Sequence, residues 1–116
     1  MRWPEENIPD EHKLFRRIHP NQYIREEDRI SSAAFRGKKN YDCSVNWEKY
    51  TTPEKAVRNY HAYHLAALQA KIPRQLEQEV KHTPSRRDRS HSSIIGNKTE
   101  SIAKSLALSC VFVIKR

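Results

Sequence analysis

Residues 41–47 alternate without a break. Tyr41, Cys43, Val45 and Trp47 are apolar, and Asp42, Ser44 and Asn46 between them are polar. Side chains on a strand point alternately to opposite faces, so this period of two predicts a strand with one face in a core and the other in water. Upstream, residues 30–36 read as another short strand. Gly37-Lys38-Lys39-Asn40 between the two supplies residues that tolerate positive φ. Together they predict a β-hairpin. A further strand is expected over residues 14–18, ended by His19-Pro20, because proline holds the residue before it extended.

Helical signals come next. Thr52 suits an N-cap, Pro53 the first helical position and Glu54 the positive end of the dipole. Val57, Tyr60, His64, Leu68 and Ile72 follow at spacings of three and four, which predicts a helix over residues 53–72 that stops before Pro73. Residues 76–80 fit a strand or a helical turn, and residues 92–95 a strand entering the core. Asn97 is placed to cap a second helix, with Glu100 three residues on as in a capping box. Its inner stripe is Ile102, Ala103, Leu106 and Cys110, and residues 111–114 form a last strand or an extended tail. This order predicts an α+β fold: a small, mainly antiparallel or mixed sheet with two helices packed on one side.

The 116 residues suit one domain, and 36% hydrophobic content, below the usual ~45–50%, limits its core. Two Trp, five Tyr and three Phe argue against a disordered chain. Residues 1–13, with Pro4, Pro9 and several acids, read as an irregular arm, and residues 14–116 as a single domain. No segment approaches the ~18 apolar residues that span a bilayer, and no apolar run marks a secretory signal. Cys43 and Cys110 lie far apart and form no Cys-x-x-Cys pair. Together these features predict a cytoplasmic protein with free thiols and no metal site or cofactor.

Charge is uneven. Residues 81–116 carry eight Lys/Arg against two Asp/Glu, a balance of +6 out of a total of +8. Such a field favours phosphate-bearing partners. The excess surrounds a polar loop, residues 81–100, with two histidines, three arginines and a row of hydroxyls. His82 and His91 are the candidate acid–base pair, since imidazole titrates near neutrality. Arg86, Arg87 and Arg89 are candidates to hold a phosphate through forked hydrogen bonds. Ser92 and Asn97 stand near the expected helix start, where free N–H groups attract anions. His64, on the long helix, is a candidate to look into a cleft lined by this loop. The plain alternatives are a solvated basic loop, a simple capped helix start and a hydrogen-bonded core histidine. Gly96-Asn97-Lys98-Thr99 is no Walker motif, because Lys98 does not follow Gly96 and the earlier glycine is missing.

Arg16, Arg17, Arg25 and Arg29 with His19-Pro20 make a second basic cluster, and Asp42, Ser44 and Asn46 the wet face of the hairpin. A site could combine these with the loop if the three regions meet. The sequence thus points to a small basic protein that binds a nucleotide or RNA, with metal-independent phosphoester cleavage as the catalytic version. The other reading is a non-catalytic interaction or accessory domain, whose partner is another protein or a second copy of the chain. A membrane partner is not expected, because no basic amphipathic helix is present.

Overall fold

A computed structural model describes residues 3–36 and 42–116. The expected turn at Gly37-Lys38-Lys39-Asn40, together with Tyr41, lies outside the described residues. In chain order the strands are β1 (Lys13–Ile18), β2 (Tyr23–Ile24), β3 (Arg29–Ile30), β4 (Asp42–Trp47), β5 (His64–Gln69), β6 (Glu79–His82), β7 (His91–Ile95) and β8 (Val111–Ile114). Three α-helices accompany them among the described residues: α1 (Pro53–Ala56), α2 (Lys71–Gln75) and α3 (Glu100–Ser109). Six strands form one sheet in the order β6-β7-β4-β1-β5-β8, with antiparallel neighbours throughout, and β2 and β3 form a separate ribbon. The α+β class holds.

One sheet face carries the main core. Leu14 and Ile18 of β1, Val45 and Trp47 of β4, Leu68 of β5 and Ile94 of β7 are all buried there. The cover comes from Ala103, Leu106 and Ala107 of α3, and from Phe35 beyond a 3-10 turn at Ser32–Ala34. Removing a side chain such as Leu106 or Ile94 from water is worth about 1.5–3 kcal/mol. The opposite face buries a smaller cluster, where Phe15, Leu65 and Ala67 meet Ala56 and Val57 from the α1 segment. The rest of that face is polar. The alternation read in residues 42–47 therefore does its expected work, with Cys43, Val45 and Trp47 turned to the main core.

Four expectations change. The long helix over residues 53–72 does not form. Its start is as read, with Thr52 Oγ1 accepting from the Lys55 N–H at 3.3 Å. The helix ends at Ala56, and residues 64–69 are instead β5, paired along all six residues with β1 and on its other side with β8. Residues 64–68 are buried on both faces, so the apolar run carries no period of two. Ala66 and Ala67 favour a helix locally, and pairing with two strands overrides that preference.

Residues 30–36 do not form a strand that pairs with β4. Ile30 ends the small ribbon, and Ser31 caps the 3-10 turn that delivers Phe35 to the core. The partners of β4 are β1 and β7. Finally, the α-helices among the described residues number three and do not share one side. Thr99, not Asn97, caps α3, its Oγ1 accepting from the Ile102 N–H at 3.2 Å.

Residues 5–8 lie beside β6, and residues 10–12 hydrogen-bond to the end of β5 and to α2. Ile8 is buried, the Glu6 N–H donates to His82 Nδ1 at 3.1 Å, and the Glu6 carboxylate accepts from Lys49 and Tyr50. Hydrogen bonds from both groups, Lys49 first, hold Glu6 below the usual carboxylate range. The β8 edge at the other end of the sheet leaves Val111 69% exposed.

A candidate anion-binding cleft

The register between β1 and β4 sets Phe15 opposite Asn46, so Arg17, two residues on, shares the face of Asn46. Arg17 Nη1 donates to the Ala56 carbonyl at 3.0 Å and to Asn46 Oδ1 at 3.3 Å, and its guanidinium lies 4.1 Å from the centre of the Tyr60 ring. Asn46 is buried and its Nδ2 donates to Asp88 Oδ2 and Ser90 Oγ, both at 2.9 Å. Asp88 Oδ1 accepts from the N–H and hydroxyl of Ser90. Three stretches remote in sequence are thereby locked into one rigid floor.

Over that floor lies a cleft of about 630 Å³ between the segment around α1 and the turn at residues 87–90. Arg17, Lys55, Arg58, Arg87 and Arg89 line it, against the single acid Asp88, a balance of five minus one, or +4. Both Asp88 oxygens are already occupied by donors, so the acid serves the floor. Lys55, Arg58 and Arg87 are exposed and have no ion pair among the described residues. Arg89 is held more tightly. Its guanidinium sits 4.0 Å from the Tyr50 ring centre and 4.4 Å from that of Trp3, with Glu6 at 3.8 Å. Its Nε is buried without a hydrogen-bond partner. Cations clustered at a polar concavity attract anions, and arginine forks match phosphate oxygens.

The structure distributes the residues read as candidates quite unevenly. Arg87 and Arg89 line the cleft, and Arg86 lines an adjoining cavity with Trp3. His82 and His91 do not face each other. His82 pairs in register with Ser92 and turns to the main core, whereas His91 pairs with Asn46 and turns to the opposite face. The His82 ring packs against Trp47 and Tyr50. Because its Nδ1 accepts from Glu6, its Nε2 carries the proton, which goes to the Arg89 carbonyl at 2.7 Å. Both ring nitrogens are therefore spent on structure. His91 Nδ1 donates to the Thr83 carbonyl at 2.9 Å, which leaves Nε2 without a protein partner among the described residues. The two rings thus lie on opposite faces of the sheet.

Ser92 is fully buried and donates to the Ser90 carbonyl at 3.1 Å. Asn97 is exposed, away from the cleft lining, and its carbonyl receives Gln78 Nε2 at 3.0 Å. His64 stands on β5 with its ring 4.6 Å from Tyr23 and 5.7 Å from Phe112, remote from the loop, and accepts from the Arg116 N–H. Burial first, then the charges of Arg25, Arg116 and Lys115, holds its imidazole below its ordinary value.

Of the second basic cluster, Arg17 alone reaches the cleft. Arg16 instead braces the core side, donating to the carbonyls of Ala34 and Ser44. Lys55, Arg58 and Tyr60 were concealed by the helical pattern, which placed Tyr60 on a buried stripe. Among the described residues, no group of three His, Cys, Asp or Glu could hold a metal ion, and no helix is long and apolar enough to cross a membrane. Cys43 and Cys110 are free thiols, and burial pushes Cys110 up to about 12. No family model, curated protein or solved structure matches the chain.

Proposed function

We propose that this protein binds a phosphate-bearing ligand, a nucleotide or RNA, in the cleft between the α1 segment and residues 87–90. One observation carries the reading: five cations line the cleft against one acid whose oxygens are already satisfied, and three of the five, Lys55, Arg58 and Arg87, are exposed with no ion pair among the described residues. Arg58 and Arg87 line the cleft from chain segments remote in sequence, so an anion held there meets positive charge from both. The floor beneath is set by hydrogen bonds before any ligand arrives, which lowers the ordering cost of binding. The reading is one of binding and not of phosphoester cleavage, since His82 is committed to the core.

Isothermal titration with inorganic tripolyphosphate at low salt tests it. Wild-type protein is expected to bind, and Arg58→Glu/Arg87→Glu is expected to lose at least about ten-fold in affinity, or about 1.4 kcal/mol. Unchanged affinity in the double variant would place the anion elsewhere.

A further inference from the structure

A second cavity lies on the other side of Arg89. The guanidinium of Arg89 lies over the ring of Trp3, and Trp3 lines this cavity, of about 290 Å³, with Pro84, Ser85 and Arg86. Arg86 and Arg87, adjacent in sequence, thus serve one cavity each. Exposed aromatic rings flank the path. Tyr60 is 37% exposed on the rim of the first cavity, and Trp3 is 39% exposed at the second. Trp47, the other tryptophan, is 1% exposed. Trp3 packs against Arg89 and still leaves 39% of its surface in water, beside Arg86.

From this juxtaposition we infer that the ligand is a single-stranded nucleic acid several nucleotides long. Its phosphates run from Lys55 and Arg58 past Arg87 to Arg86, and bases stack on Tyr60 and Trp3. The inference rests on the anion-binding reading of the cleft and goes further in naming the ligand class. A mononucleotide fills only one of the two cavities. A duplex hides its base faces in its own stack, so neither ring has a face to meet. Single strands offer both features at once: a regular row of charges and free aromatic faces.

The test is fluorescence anisotropy with a labelled single-stranded RNA of about ten nucleotides. Competitors are a nucleoside monophosphate, an oligonucleotide of about four nucleotides, the matching duplex and inorganic polyphosphate. Affinity is expected to rise with strand length and to favour the single strand over the duplex. Trp3→Ala and Tyr60→Ala, both at exposed positions, are each expected to weaken RNA about five-fold or more and to weaken polyphosphate, whose cleft arginines these rings support, by a clearly smaller factor. RNA, but not polyphosphate, is expected to quench the fluorescence of Trp3. Equal binding of the duplex, or aromatic variants that bind RNA as wild type does, would overturn the inference while leaving the anion cleft in place. Wild-type protein that binds neither RNA nor polyphosphate would overturn the cleft reading itself, and this inference with it.

Discussion

Asn46 Nδ2 and Asp88 Oδ2 lie 2.9 Å apart, joined across 42 residues of chain. This contact ties the middle of the sheet to the turn that carries Arg87 and Arg89. Asp88→Ala strips an acceptor from Asn46, from the Ser90 N–H and from the Ser90 hydroxyl. Unsatisfied buried donors cost about 1–3 kcal/mol. A loss in that range is expected in urea denaturation. A change within about 0.5 kcal/mol, typical of a surface substitution, would show the turn to be independent of the sheet.

The two loop histidines should behave differently. His82→Ala leaves the Glu6 N–H and the Arg89 carbonyl without partners and opens space beside Trp47 and Tyr50. Its expected cost is about 2–4 kcal/mol. His91→Ala, half-buried on the polar face, should cost about 1 kcal/mol. Equal costs, measured by denaturation at neutral pH, would contradict the assignment of opposite faces.

Gly96 has φ +148°, and a Cβ built there would sit 2.6 Å from Gln78 Oε1. Gln78 cannot easily retreat, because its Nε2 is held by the carbonyls of Leu76 and Asn97. Gly96→Ala is therefore expected to destabilise by about 1–3 kcal/mol. Gly96→Ala/Gln78→Ala should recover part of this by removing the collision, with the backbone strain remaining. No recovery would mean that the collision contributes nothing.

His64 supplies a pH signature. Its folded pKa lies below the ordinary 6.5, mainly because burial disfavours the charged ring. The unfolded chain therefore binds more protons at this group once pH falls towards 6.5. The contribution to stability is present above that pH and is lost as pH falls below it, through the folded pKa. His64→Phe removes the proton-binding group and should flatten the decline in unfolding free energy between mildly alkaline and mildly acidic solution. Parallel curves for wild type and variant would contradict the burial account.

Local signals told much of this fold. Residues 42–47 alternate, and β4 follows them. Thr52-Pro53 caps α1 as expected, and Ala103 and Leu106 face inward from α3 as their spacing requires. The failure at β5 has a physical cause. A strand buried on both faces shows no alternation, and its alanines and leucines read equally well as helix. That single misreading also hid the site, since it set Arg58 and Tyr60 on a helix instead of a turn at the cleft. Arg17, Asn46 and the 87–90 turn were each visible as polar or basic, but their meeting depends on the β1–β4 and β4–β7 registers. His82 was read as part of a polar loop because of its neighbours, whereas β6 continues to it and turns its ring inward.

The most direct measurement of the central claim is the salt dependence of binding to a single-stranded RNA of about ten nucleotides. Each cation that neutralises a phosphate contributes about 0.7 to the slope of log K against log salt. Arg58→Glu/Arg87→Glu is expected to lower affinity and to reduce the slope by about 1.4 or more. Arg25→Glu/Arg29→Glu reverses the same number of charges outside the cleft and is expected to leave the slope nearly unchanged. An equal loss of affinity and slope in both variants would show that a diffuse positive field, and not this cleft, holds the ligand.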